Sequence, residues 1–408
     1  MIRTVVVSLL VLLMASHSFA QKGMPEKKIV SASVTTHFPQ HEDFKEDMLN
    51  RLSLAKGFKA EIAAQGLGKP RMMTAGANGS LYVTRRDQGD VLLLLDNDND
   101  GKFDVMKTVA VKFPGVHGIA THDGYLYLCS NRELKRAKIK PDGDLEASEI
   151  LIKDLPDGGQ HGNRTIAFGP DNMLYITIGS TCNDCNETNP ENATILRAKP
   201  DGTSRKIYAR GLRNTIGIDW HPQTKELWGA DNGTDWRGDD IPPEELNKII
   251  ESGDYGWPLV YGQQKVDDTR EDPAGTTKEA YAKTTQPSQL NFPAHSAPIN
   301  LMFLDKAMGF PNDSKDDALV TLHGSWNKNN PDGFKIQRIR FENGKPVAAE
   351  DFLSGFLSKD GKTRFGRPAG LVTSSNGFVY VSDDVNGVIY RVSGSETGSS
   401  SSSKQTGQ

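Results

Sequence analysis

Gly158-Gly159-Gln160-His161-Gly162-Asn163-Arg164-Thr165-Ile166-Ala167-Phe168-Gly169-Pro170-Asp171, continuing into Asn172-Met173-Leu174-Tyr175-Ile176, carries two superimposed patterns. Its second half is a polar turn followed by alternating apolar residues, the signal of a hairpin leading into a packed strand. Its first half delivers an imidazole, an amide and a guanidinium to the mouth of the same unit. The turn-and-strand phrase recurs along the chain. Copies stand at Asn78-Gly79-Ser80-Leu81-Tyr82-Val83, Asp123-Gly124-Tyr125-Leu126-Tyr127-Leu128, Thr224-Lys225-Glu226-Leu227-Trp228, Asp316-Asp317-Ala318-Leu319-Val320 and Asn376-Gly377-Phe378-Val379-Tyr380-Val381.

With Asp171–Ile176 this makes six copies, mostly about 45–60 residues apart, which is the period of one four-stranded propeller blade. The predicted fold is therefore all-β, a six-bladed β-propeller of four-stranded antiparallel blades over residues 48–392. One interval, from Leu227 to Leu319, is longer, about 90 residues. The polar, Pro-rich stretch from Glu251 to His295 is read as an insertion between blades that accounts for it. Only Pro243 to Ile250 looks helical, too little for a two-domain α/β chain.

A second phrase precedes each turn by about ten residues and is expected at the start of the strand nearest the axis. It reads Lys69-Pro70-Arg71, Val116-His117-Gly118, His161-Gly162-Asn163-Arg164, Leu212-Arg213-Asn214 and Gly366-Arg367-Pro368. Five blades thus offer polar or cationic groups at equivalent places. Convergence of that kind suits a pocket for an anion.

Composition bounds the setting. Of 408 residues 36% are hydrophobic, the mean hydropathy is −0.51 and the formal charge is −4. No basic patch argues for nucleic acid, and no membrane span follows the start. Residues 1–20 read as a secretory signal peptide with Arg3, an apolar run from Val5 to Met14 and Ser18-Phe19-Ala20 at the cleavage site. This predicts a secreted, periplasmic protein. Residues 21–47 read as a lead-in, and 393–408 as a disordered Ser/Gly-rich tail. Cys182 and Cys185 can close a small disulfide in an oxidising space or form half of a metal site, and Cys129 reads as a buried thiol.

His161 is the candidate general base, because a neutral imidazole at a mouth can take a proton near neutral pH; a hydrogen-bonded structural histidine is the plain alternative. Arg213 and Asn214 offer a fork and an amide to a carboxylate or dicarbonyl, or form an outer salt bridge. Arg367 carries the same two readings. Asp231-Asn232-Gly233-Thr234 can turn oxygens toward a calcium ion, or be a solvated acidic loop. Asp96-Asn97-Asp98-Asn99-Asp100-Gly101 has the front half of an EF-hand loop, with Asp96, Asp98 and Asp100 as possible ligands of a structural calcium. Its twelfth position is Lys107 where an EF-hand has Glu. His323-Gly324-Ser325-Trp326-Asn327 with Lys328 can wall a flat cofactor or a sugar, or pack between blades.

Taken in order, these motifs resemble the secreted quinoprotein sugar dehydrogenases, the soluble aldose/glucose and sorbosone dehydrogenase-like family. The resemblance rests on His161 with Arg164–Asp171, Leu174–Gly179, Arg210–Asn214, Asp231–Gly233, Glu245–Asn247, Gly253–Pro258, His323–Asn327 and Gly366–Pro368 through Asp384. It covers about Lys56 to Val392. It implies pyrroloquinoline quinone (PQQ) over the axis, held by Ca2+. His161 would be the base and hydride would pass to the quinone. Arg213, Asn214, Arg367, Arg164, His117 and Lys328 would line the cofactor, with Asn232, Gly233 and Thr234 at its calcium. Thr234 stands where the family often has Pro, and His117 where glucose-oxidising members have glutamine. The implied partners are a sugar and an external electron acceptor, a quinone or a cytochrome. Calcium-dependent lactonases and non-catalytic glycan- or protein-binding propellers are the alternatives.

Overall fold

The computed structural model describes residues 35–394; the expected signal peptide and residues 395–408 of the expected tail lie outside them. Six large sheets follow one another along the chain, each ordered from an inner strand outward. The first blade is Met73–Ala75, Leu81–Arg85, Asp90–Leu95 and Val105–Ala110, and the second begins at Gly118–His122. Inner strands Ile166–Phe168, Thr215–Trp220, Pro298–Phe303 and Pro368–Thr373 open the remaining four. Every turn phrase quoted above joins the first and second strands of a blade.

The second strands are buried along nearly their whole length, as in Leu174–Ile178 and Val379–Asp383. Each lies between two neighbouring sheets, so both of its faces need apolar side chains. Among the described residues the hydrophobic core forms six clusters, each centred on a junction between blades, and that of the first and second blades also takes in the axial Ile216, Ile299 and Ala369. Tyr175, Ile195 and Ala209 of the third blade meet Ile218, Leu227 and Ile249 of the fourth, for example.

The ring is closed by a strand from the other end of the chain. Phe58–Ala64 pairs antiparallel with Val388–Gly394, in the register Ile62 opposite Tyr390. The sixth blade thus has three strands from the C-terminal part of the chain and one from the N-terminal part. Ahead of it, residues 35–51 are laid against the body. Gln40–His41 pairs with Thr363–Arg364, and Phe38 stacks on Trp326 at 6.2 Å.

Two expectations need correction. Residues 251–295 do not separate two blades; they include the outer strand of the fourth blade, Leu290–Phe292, and residues 251–289 interrupt that blade after its third strand, Glu244–Ile249. They carry a short hairpin, Val260–Tyr261 with Lys265–Val266, and the α-helix Lys278–Ala282. Pro243 to Ile250, read as helical from its Glu and Lys content, is that third strand. Glu244 and Glu245 are buried and accept backbone N–H groups from Gly233 and Gly262, and such tertiary contacts outweigh helix propensity.

Near the axis the inner strands come very close. A Cβ on Gly118 would lie 2.5 Å from the Arg164 carbonyl oxygen, one on Gly217 2.6 Å from Asn300 C, and one on Gly370 2.3 Å from Arg71 O. These glycines stand in the second, fourth and sixth blades, and each abuts backbone of the next blade. Because the obstacle is backbone, no side chain can rotate away. Gly217→Ala is expected to destabilise the fold by about 1–3 kcal/mol, the usual cost of overpacking, seen as a lower urea midpoint with an unchanged slope.

Candidate active site

In an antiparallel blade, the mouth of the inner strand and the link between second and third strands emerge on the same face. That face collects His161, Arg213 and Arg367 with the loops after Ile178, Asp231, Leu322 and Asp383. Gly179 lets two of these groups meet: a Cβ there would lie 2.5 Å from His161 Cβ and 3.0 Å from Asn214 Oδ1.

The tautomer of His161 follows from its partners. Its Nδ1 lies 2.9 Å from Ser180 Oγ and 3.0 Å from Ser180 O. The Ser180 hydroxyl donates its own hydrogen to Cys182 O at 2.7 Å. Both neighbours of Nδ1 therefore accept, so Nδ1 carries the proton. Nε2 is left with its lone pair and no hydrogen bond among the described residues. Burial, then the charge of Arg213, push the imidazole down to about 3, against the Ser180 carbonyl, which raises it. His161 is a neutral base.

The loop that holds Ser180 is tied by the Cys182–Cys185 disulfide and by Glu187, which accepts from Thr181 N at 2.6 Å and Thr181 Oγ1 at 2.8 Å. Cys129 is free and buried, its thiol pushed up to about 12 by desolvation.

The arginines behave differently from the expectation of free forks. Arg164 is fully buried; it donates to Asn131 O, Asn131 Oδ1, Pro156 O and, at 2.8 Å, His161 O. As a ligand for a cofactor it is a misreading, since its directed hydrogen bonds hold the loop carrying His161. Arg213 likewise turns inward, to Asn183 O and Oδ1, to Asn232 O and to Asp235 Oδ2 at 2.9 Å. Four of its five N–H groups are engaged. Asn214 is the open member of the pair: its Oδ1 is buried and has no partner.

Next to it, the loop after Asp231 is fixed from behind. Asp231 accepts from the amides of Arg213 and Asn214 and from Thr215 Oγ1, and Gly233 N donates to Glu244 Oε2 at 2.6 Å. Asn232 Nδ2 donates to Asn214 O and Pro298 O. Thr234 Oγ1 accepts from Trp257 Nε1 at 3.1 Å. Among the described residues, no hydrogen bond reaches the carbonyls of Gly233 and Thr234. Desolvation raises Asp231, Glu244 and Glu245 to about 6, 8 and 7.

Across the face, the fifth, sixth and first blades enclose a cavity of about 400 Å³ lined by Lys69, Arg71, Arg86, Arg364, Arg367, His323, Asp87 and Asp384. Five cations face two carboxylates, a surplus of three positive charges. Arg367 is steered by the carbonyls of His323 and Gly324, both at 3.0 Å. Arg71 pairs with Asp384, which also accepts from His323 Nε2 at 3.0 Å. Burial and the Arg367 charge push His323 down to about 3, while His323 and Arg71 hold Asp384 well below the usual carboxylate range. Lys328 lies in the neighbouring loop, 3.8 Å from Asp332. His117 is sealed beneath the face, its Nδ1 3.2 Å from Arg164 O and its Nε2 without a partner.

Several residues escaped the sequence reading. Ser180 and Asn183 orient His161 and Arg213, and Asp384 and Arg364 complete the cationic cavity. His295 stands at the mouth of the fifth blade, directly before Ser296-Ala297-Pro298, and receives Asn327 Nδ2 at 3.3 Å. Its place before the inner strand was the available signal.

The TrAA12-like family model matches residues 52–395. A protein of unknown function from Borreliella burgdorferi is 30% identical over 85% of this chain and 92% of its own length. A pyrroloquinoline quinone-dependent pyranose dehydrogenase from Coprinopsis cinerea is 24% identical over 84% of the chain, which spans only 55% of that enzyme. Among solved structures, the holo PQQ domain of the Coprinopsis cinerea enzyme superposes with a TM-score of 0.71 at 22% identity, covering 84% of this chain and 97% of that one. A calcium structure of the Trichoderma reesei family AA12 enzyme gives 0.73 at 21%, with the same coverage.

Buried neutral histidines make the fold acid-sensitive. Desolvation lowers the fully buried His117 from 6.5 to about 3. The unfolded chain therefore takes up a proton that the folded chain refuses, and stability is lost as pH falls from about 6.5 toward 3. His117→Gln should flatten that decline by roughly 1.4 kcal/mol per pH unit, measured by urea unfolding between pH 6 and 4.5.

Proposed function

The chain belongs to the TrAA12-like family, and from that membership we propose that it is a quinoprotein oxidoreductase that oxidises a hydroxyl or aldehyde group of a sugar. Its cofactors on this reading are PQQ and Ca2+, as in the relatives named above. The observation that carries the proposal is His161, a neutral imidazole with Nδ1–H engaged and Nε2 free.

The residues present fit the cofactor. PQQ has three carboxylates and a dicarbonyl, and the 400 Å³ cavity has a surplus of three positive charges. Arg367 and Arg71 would hold carboxylate groups, and the unpaired Asn214 Oδ1 supplies a buried polar contact. The carbonyls of Gly233 and Thr234 are hard oxygen donors of the kind calcium takes. Arg213 serves by positioning Asn183, Asn232 and Asp235. When bound, the quinone supplies a two-electron acceptor and the calcium a Lewis acid.

This chain's own part is proton transfer and orientation. His161 Nε2 takes the proton of the substrate hydroxyl. Ser180 O and Oγ hold Nδ1–H and stabilise the imidazolium that results. His161 gains basicity in the loaded protein, because the charge of a bound polyanion offsets the repulsion from Arg213 and Arg164. The 179–193 loop, braced by Glu187 and the disulfide, keeps Ser180 in place beside the imidazole.

A calcium-dependent hydrolase on the same fold would need free carboxylates at the axis. Asp231 is instead occupied by two amides and a hydroxyl. Secretion remains part of the proposal; among the described residues no helix is long and apolar enough to cross a membrane.

Purified protein mixed with PQQ and Ca2+ is expected to gain sugar-dependent dye reduction across a panel of aldoses and pyranoses. Its absence throughout, with the quinone bound, would sink the reading. His161→Ala should retain the quinone absorbance while turnover falls roughly 10²–10⁴-fold, the usual share of a general base.

A further inference from the structure

On the face opposite the candidate active site, the link between the third and fourth strands of the first blade is Asp96-Asn97-Asp98-Asn99-Asp100-Gly101-Lys102-Phe103-Asp104. One carboxylate oxygen from each of Asp96, Asp98 and Asp104 lies within 4.8 Å of the others. A full EF-hand loop starting at Asp96 would end on Lys107, its twelfth residue. The loop instead closes on Asp104, the ninth, a position that supplies a ligand in EF-hand loops, often through water.

Clustered acidic residues alone would mean little. Asp96 distinguishes this loop. It is 95% buried, with a relative exposure of 5%. Its Oδ2 accepts Gly101 N at 2.9 Å, yet its Oδ1 is buried without any partner. A carboxylate oxygen withdrawn from water and left bare costs several kcal/mol unless something positive meets it. No cationic side chain forms an ion pair with Asp96, Asp98 or Asp104 among the described residues.

Backbone amides hold the carboxylates of the loop in place. Asn97 N donates to Asp104 Oδ2 at 2.8 Å and Lys102 N to Asp100 Oδ1 at 2.7 Å. Gly101 has φ +84°, and a Cβ there would collide with Arg391. All the available ligands are oxygens, and several are anionic, the donor set of a hard divalent cation of calcium size.

We propose that Asp96, Asp98 and Asp104, with Asp100, bind a calcium ion that fastens the closure of the ring. The loop reaches both the closing strand and the sixth blade. Phe103 N donates to Ala63 O at 3.0 Å, and the Phe103 ring packs on Tyr380 at 5.1 Å. Tyr380 OH donates to Gly101 O at 3.2 Å, and Asn376 Nδ2 to Asn99 Oδ1 at 3.0 Å. Arg391 donates to Asp100 O and holds Glu61 at 2.7 Å. An ion that orders residues 96–104 therefore stabilises the one junction made by the two ends of the chain. The inference does not depend on the quinone reading.

Calcium alone, without quinone, tests it on the full chain stripped with EGTA. Added Ca2+ should raise the wild-type Tm by roughly 5 °C at saturating concentration. Asp98→Asn with Asp104→Asn should lose that shift and one calorimetric equivalent of Ca2+. If the double variant does not fold, the exposed Asp98→Asn alone should raise the Ca2+ midpoint at least about tenfold, since one anionic ligand is lost. The proposal is overturned by a wild-type Tm indifferent to Ca2+, or by a shift and stoichiometry that survive in these variants; either result places any bound calcium elsewhere, as at Gly233 and Thr234.

Discussion

Backbone pairing between Phe58–Ala64 and Val388–Gly394 is the interaction on which the arrangement rests. Most blade-to-blade clusters join neighbours in sequence, whereas this last junction joins segments from opposite ends of the chain. Without the closing strand the sixth blade would keep only three strands and an unpaired edge. The fan could then spread, and side chains brought together across the axis would separate. Arg71 and Asp384 make that dependence concrete: they stand on the first and sixth blades and pair over the closure.

Around the axis the cations are held mainly by neutral oxygens. Arg164 binds carbonyls and an amide, and Arg367 binds the carbonyls of His323 and Gly324. Such partners fix direction without cancelling charge. Burial lowers both guanidiniums only to about 10, so they stay positive at neutral pH. Desolvation, and after it the guanidinium that acts most strongly on each ring (Arg71 at His117, Arg213 at His161, Arg367 at His323), keeps the three imidazoles neutral.

How much of this was legible follows from the range of each signal. The Asn-Gly and Asp-Gly turns are local in sequence, so the blade count could be read directly. The closing strand pairs with a segment far away in sequence: Glu61 and Arg391 are 330 residues apart. Residues 243–250 failed for a related reason, since Glu244 and Glu245 read as helix-formers until the loop amides they bind are known. At the candidate site, residue types were visible but directions were not. Arg164 looked like a free cation because its partners, Asn131 and backbone carbonyls, carry no charge, and Arg213 because Asn183 and Asp235 reach it only through the fold. The protonated nitrogen of His161 could be assigned only once Ser180 and Cys182 were placed beside it.

The loops after the second strands divide the face unevenly. They run over residues 179–193, 232–243 and 323–334 in the third, fourth and fifth blades, but only 384–387, 86–89 and 130–133 in the sixth, first and second. The long half is tied together by Asn183, Arg213, Asp235 and Asn327, which makes it a wall. The short half carries Lys69, Arg71 and Arg86 in an open cavity. On the proposed reading a flat polyanion would be gripped from the cationic side and backed by the wall, with access for a second molecule over the short loops. Because His161 and Asn214 sit on the walled side with Gly179 between them, the imidazole is fixed by packing while the approach stays open. Rigidity and access are assigned to different blades of one ring.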